Sequence, residues 1–387
     1  AINKKPFTGK KINTDQVMGS LKGEIDTDVE VTILRNKQKK RIIIRRGEIP
    51  METITTFCML DKTTGYIRID QFSVPTHDEF VIAADGLLNQ GMKKMVLDLR
   101  GNPGGVMDAA ILIADEFLPS GVNIVSTKGR NVENELVKAK PGGVLEKIKL
   151  AVLIDENSAS AAEILAGAMQ DNDRALLYGR RTYGKGLVQQ DQILKDGSSV
   201  RMTISRYYTP SGRSIQRPYS GDYSSYMQDE ERFMKGELFF EDSIPIDKRL
   251  VYKTKNGRKV FGGGGIVPDV FIPLDTTGSS LVLTQLNMEQ VFSAFVFKSL
   301  QQNRGRWKSI NAIVAYEIPT SEWSSFLSFC KQRYNIYYVE TLSAAQKKSI
   351  QKRLKVEYAR QLWDEQGVFQ VIKAEDKELN AALKKFN

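Results

Sequence analysis

The chain is 387 residues long, enough for two or three domains and a sizeable core, and its apolar (41%) and charged (26%) fractions are those of an ordinary globular protein. No apolar run approaches the roughly 20 residues needed to cross a bilayer. The net charge of +10 reads as a solvated basic surface, weakly attracted to an anionic envelope, and not as a nucleic-acid site. Its run RNKQKKR (35–41) lies at a turn without the interleaved aromatics of a single-strand binder. Cys58 and Cys330 match no metal or redox spacing and read as small buried apolar residues. There is a single histidine, His77.

In chain order, NTDQVMGSLKG (13–23) has helical apolar spacing and stops at Gly23. DVEVTILR (28–35) and KRIIIRR (40–46) read as paired strands, followed by an extended link, GEIPMET. The lack of a signal segment at the start says nothing about location. From about residue 64 strands alternate with helices. GYIRIDQF is a strand, and THDEFVIAADGLLNQG a helix opened by a capping box from Thr76 to Glu79. KKMVLDLRG and KLAVLID (149–155) are buried strands, and GGVMDAAILIADEFL and SAAEILAGAMQD are helices. RALLYG completes an α/β domain with a largely buried sheet. After Gly186 the chain is β-rich, residues 219–265 look irregular, and two long amphipathic helices begin near 278.

GRRTYGKG (179–186) imitates a phosphate-binding loop, but Gly186 stands where a magnesium-holding Ser or Thr belongs. The following LVQQDQIL is strand-like, whereas such a loop opens a helix. Lys185 needs another reading. In DENSASAAEILAGAMQD (155–171), Ser160 stands at the first turn of a helix, where the dipole favours negative charge on its oxygen. Ser160 and Glu163 also form a plain capping box, and spacing alone leaves Ser158 an equal candidate for cap or nucleophile.

A serine nucleophile needs a base, and His77, beside Asp78 and Glu79 on an exposed-looking helix, reads as solvated. Lysine can serve if held neutral, and burial away from water favours that form. Lys185 follows a buried strand, lies between glycines and has no adjacent carboxylate, so it is expected to be deeply buried. Gln189 is placed to orient the amine by a neutral hydrogen bond. For the oxyanion, LDLRGNPGGVMDAA (97–110) offers glycine-rich backbone, with the Gly105 and Ala161 N–H groups as the pair.

VLDLRGNPGG, ENSASAAEILAGAMQD and GRRTYGKGLVQ, in this order, closely resemble the C-terminal processing peptidases, or tail-specific serine proteases. RYYTPSGRSIQ (206–216) and GGGGIVPDV (262–270) extend the resemblance, which covers roughly residues 1–275. It implies a Ser–Lys dyad with Ser160 as nucleophile, chosen over Ser158 by its position three before Glu163. Lys185 would be the general base and Gln189 its positioner. One departure is Ala162, where many relatives have serine.

The implied fold is a crotonase-like α/β peptidase core (49–276), preceded by a partial PDZ domain (1–48) and followed by a C-terminal helical region (277–387). The PDZ half that bears the carboxylate-binding loop is expected to lie outside this chain. The helical region is expected to serve as scaffold or oligomer contact. The implied activity is cleavage of protein substrates at or near their C-termini, with no metal, nucleotide or other cofactor and no nucleic-acid partner. The implied location is the bacterial periplasm or cell envelope, with room for an activating partner and for contact with the membrane surface. Two other classes share these features in part: a silent peptide-binding scaffold, and a crotonase-type acyl-CoA enzyme.

Overall fold

A computed structural model of the chain describes residues 1–8, 13–35, 37–49, 51–219, 230–337, 339 and 342–386. The chain divides into two units, Ala1–Glu52 and Thr53–Asn387. In the first, Asn13 caps α1 (Thr14–Leu21), its side chain accepting from the N–H groups of Asp15 and Gln16. Strands β1 (Asp28–Arg35) and β2 (Gln38–Arg45) pair antiparallel. No residue of α1 is buried, and β2 is exposed along its length.

The second unit opens with β3 (Thr56–Met59) and β4 (Thr64–Arg68), then α2 (Thr76–Asn89), β5 (Lys94–Asp98) and α3 (Met107–Phe117). Next come β6 (Asn123–Lys128), β7 (Glu135–Lys138), β8 (Lys149–Ile154), α4 (Ala161–Asp171) and β9 (Ala175–Gly179). The hairpin β10 (Leu187–Ile193) and β11 (Ser199–Tyr208) leads to the short α5 (Glu230–Met234). Strands β12 (Val251–Lys253) and β13 (Lys259–Phe261) lie in the stretch expected to be irregular, of which 220–229 fall outside the described residues, and β14 (Val270–Phe271) follows it.

The alternation becomes a six-stranded sheet in the order β14-β9-β8-β5-β4-β3, parallel except for β3 against β4. Side chains alternate between its faces, as the strand period of two requires. On one face Ile67, Leu97, Val152 and Leu177 pack under α2, α3 and α4. On the other, Tyr66, Val96, Ala151, Leu153 and Tyr178 form a separate cluster. A four-stranded sheet, β10-β11-β6-β7, brings the hairpin alongside.

Helix α2 is not opened by the expected capping box. Its N-cap is Pro75. The Thr76 hydroxyl instead accepts from Ser73 N–H, and the Glu79 carboxylate accepts from the N–H and hydroxyl of Thr53.

The C-terminal region comprises α6 (Leu281–Met288), α7 (Val291–Asn303), α8 (Ile310–Val314), α9 (Thr320–Tyr334), α10 (Ala344–Ile372) and α11 (Lys377–Phe386). The first expected long helix is thus two, broken at Gln290 in the left-handed region. Helices α6 to α10 share an aromatic core that includes Phe292, Phe295, Trp307, Phe326 and Tyr358. Helix α10 breaks at Trp363 and Asp364, and beyond the break the chain returns to the peptide sheet. Phe369 stacks on Tyr66 at 4.1 Å, and Leu379 and Ala382 of α11 complete the second face. Part of the helical region is therefore a layer of the α/β core. Among the described residues no helix is long and apolar enough to cross a membrane.

Candidate active site

Strands β5, β8 and β9 run parallel, so the turns that follow them emerge at one edge of the sheet, the usual place for α/β sites. These turns carry the three groups singled out from the sequence: Gly105, Ser160 with Ala161, and Lys185.

The first two turns are braced together. The Ala159 N–H donates to the Asn102 carbonyl at 2.9 Å, and the Asp155 carboxylate accepts from the Gly101, Asn157 and Ser158 N–H groups. Burial raises the Asp155 carboxyl above its ordinary range even against these bonds. Gly104 is glycine for two reasons. Its φ is +93°, and a Cβ there would meet the Ala159 oxygen and the Ser160 Cβ at 2.6 Å. The glycine turn therefore lies directly against Ser160. Beside it, Gly105 and Ala161 N–H donate to no protein group among the described residues.

The structure separates the two candidate serines. Ser158 is fully buried, and its hydroxyl donates to the Leu99 carbonyl at 2.8 Å. Ser160 is half-buried and caps α4 with φ +55° and ψ −116°, a conformation that a non-glycine residue adopts only under strain. His77 does not compete for the role of base, because its Nε2 lies 3.0 Å from Glu116 between α2 and α3.

The lysine turn is tied to the serine turn by a side chain that sequence reading took only for a capping partner. Glu163 is completely buried. One carboxylate oxygen accepts from Ser160 N–H at 2.9 Å and from Lys185 N–H at 2.8 Å. The other accepts from Gly184 N–H at 2.8 Å and from the Thr182 hydroxyl. Burial pushes this carboxyl above the usual glutamate range, outweighing the four hydrogen bonds. A second tie comes from Tyr207, whose hydroxyl lies between the Ser160 carbonyl, at 3.0 Å, and the Lys185 carbonyl.

The motif 206–216 supports the same turn from the other side. The Gln216 side-chain oxygen accepts from Gly186 N–H at 2.8 Å, and Arg217 N–H donates to the Gly184 carbonyl at 2.9 Å. The preceding turn is fixed by Arg213, fully buried against Asp171 at 2.8 Å.

One expectation is corrected. Lys185 is half-buried, not deeply buried, because its turn reaches the sheet edge. Gln189 is exposed on β10, just past a register shift between Val188 and Gln189. The strand after Lys185 also excludes a phosphate loop, which would open a helix. Among the described residues no cluster of acidic, histidine or cysteine side chains is arranged to hold a metal ion.

Residues 63–223, the segment containing all three turns, match peptidase family S41. That match covers less than half of the chain. A carboxy-terminal processing protease, CtpA, of Bacillus subtilis (strain 168) is 35% identical over 209 residues, covering 54% of this chain and 44% of that protein. A probable CtpA-like serine protease of Staphylococcus haemolyticus (strain JCSC1435) is 34% identical over 215 residues, covering 55% of this chain and 42% of that protein. The chain thus spans less than half the length of these curated relatives. Among solved structures, the photosystem II D1 C-terminal processing protease is 26% identical, with 67% of this chain and 58% of that chain covered at a TM-score of 0.42. The S41 match ends at residue 223, so the helices from α6 onward lie beyond it.

Proposed function

We propose that this protein is a serine endopeptidase with a Ser160–Lys185 dyad, cutting protein substrates at or near their C-termini. The observation that carries the reading is the Glu163 carboxylate, bonded at once to the backbone N–H groups of Ser160 and Lys185. That arrangement has little purpose for a simple helix cap. It serves a chemistry that needs a serine and a lysine in fixed register.

In this reading Ser160 Oγ attacks the peptide carbonyl while neutral Lys185 Nζ takes its proton and returns it to the leaving amine. The Gly105 and Ala161 N–H groups receive the developing oxyanion. Water entering by the same path, deprotonated by Lys185, releases the acyl-enzyme. Gln189 is assigned to orient the amine from β10. Preference for C-terminal segments rests on the name of the Bacillus relative and on the sequence resemblance. We assign the core to the crotonase-like class and the first unit to the second half of a PDZ domain. The order of elements, a helix followed by an antiparallel hairpin with β2 exposed along its length, supports the latter.

The test is cleavage of an unstructured protein, followed by mass spectrometry, for wild type, Ser160→Ala and Lys185→Ala. Wild type alone is expected to cleave. Equal cleavage by Ser160→Ala would refute the dyad. Absence of cleavage in all three would favour the silent scaffold.

A further inference from the structure

A line of ion pairs runs behind the three turns and ends on a helix outside the family match. Each strand releases a charged side chain soon after it leaves the sheet: Arg100 after β5, Glu156 after β8 and Arg180 after β9. Arg100 is held by Asp98 at 2.5 Å and by Asp376 at 2.8 Å. Arg180 is held by Glu156 at 2.6 Å. Glu378, in the first turn of α11, bridges the two arginines, 2.6 Å from Arg180 and 3.4 Å from Arg100. The arginine side chains are only 15% and 6% exposed. A few residues beyond each anchor come Gly105, Ser160 and Lys185.

We propose that Asp376 and Glu378 are positioning residues for the active site, setting the mutual register of the oxyanion, nucleophile and lysine turns through Arg100 and Arg180. The inference rests on the peptidase reading and adds the C-terminal helix to its machinery. Docking of that helix does not need the acids, since its Leu379 and Ala382 already bury an apolar face against the sheet. Buried ion pairs contribute little net stability once their desolvation is counted, and their best-attested use is to fix a register. Here the discrimination falls where small displacements matter: a shift of about 1 Å in a reacting group costs on the order of a hundredfold in rate.

The test compares the full chain with Glu378→Gln, Glu378→Asp and Lys377→Ala, the last on the same helix and breaking only an exposed pair with Asp275. Circular dichroism and melting report folding, a fluorophosphonate probe counts reactive Ser160, and a quenched unstructured peptide gives kcat and KM per folded molecule. Glu378→Gln is expected to lower kcat by roughly tenfold or more with KM changed less than about twofold. Glu378→Asp should recover part of that loss, and Lys377→Ala should match wild type. If Glu378→Gln does not fold, Asp376→Asn, which removes the other acid on Arg100 and keeps the oxygen that accepts from Leu379 N–H, takes its place, and a folded Asp376→Asn with wild-type kcat overturns the proposal. A folded Glu378→Gln with wild-type kcat also overturns it, leaving the peptidase reading intact. A wild type that neither turns over peptide nor labels at Ser160 overturns the peptidase reading, and this inference with it.

Discussion

At the scale of the residue, Glu163 has the most to explain. A buried carboxylate is costly unless its oxygens are occupied, and here four donors from two separate loops occupy them. Glu163→Gln keeps the shape but turns an NH2 group toward donors that need an acceptor. It should destabilise the protein by about 1–3 kcal/mol for each donor left unpaired, read by denaturant unfolding. The pH dependence follows from the raised carboxyl. Between the ordinary glutamate value of 4.5 and the higher folded value, the native chain keeps a proton that the unfolded chain releases. This group's contribution to stability therefore falls as pH rises through that window and is level above it. In Glu163→Gln that downward slope should be missing from denaturation midpoints measured across the window.

Ser160 and Lys185 stood out in the sequence as candidates, from a strand running into small residues and from a lysine between glycines. The reach of Glu163 to Gly184 and Lys185 was not, since the partner lies 21 and 22 residues away. A glutamate three residues into a helix looks the same whether its second oxygen caps or crosses. Tyr207 and Gln216 had a weak signal, through the motif 206–216, but nothing in their types announced which carbonyl or N–H they would meet.

At the scale of the element, the site is a set of turns made rigid by contact with one another. Gly104→Ala tests that rigidity. Its Cβ would have to displace the Ser160 turn, since Ala159 O and Ser160 Cβ lie 2.6 Å from its ideal position, and the left-handed φ adds strain of about 1–3 kcal/mol. The variant should stay folded at a lower melting temperature and lose most fluorophosphonate labelling. The central strands and helices of the core were readable because their apolar spacing is strong. Strands β3 and β7 were not: each has four residues, and β7 is largely exposed, so no alternation shows. The breaks at Gln290 and at Trp363–Asp364 escaped for the opposite reason. The helical pattern runs through them, and the break is made by tertiary packing.

At the scale of the whole molecule, the sheet needs cover on both faces, and the chain supplies the second cover from its C-terminal end. The buried strands announced a parallel sheet without saying what would lie on Tyr66, Val96, Leu153 and Tyr178. That knowledge was absent because α11 is only 10 residues long and is separated from β9 by nearly two hundred residues of chain. Leu379, 1% exposed, is the direct probe of this contact. Leu379→Ala should destabilise the protein by about 2–5 kcal/mol in denaturant unfolding, as for other buried leucines. A loss under about 0.5 kcal/mol, the range of surface changes, would mean that the helix is not part of the core.

The central claim, that Ser160 is a nucleophile activated by Lys185, is tested most directly by locating a covalent adduct. The protein would be treated with an alkyl fluorophosphonate, and the modified residue identified by tandem mass spectrometry in wild type and in Lys185→Ala. The account predicts one adduct, on Ser160, formed by wild type and lost or greatly slowed in Lys185→Ala. An adduct on another residue, or Ser160 labelling at an unchanged rate without the lysine, would contradict it.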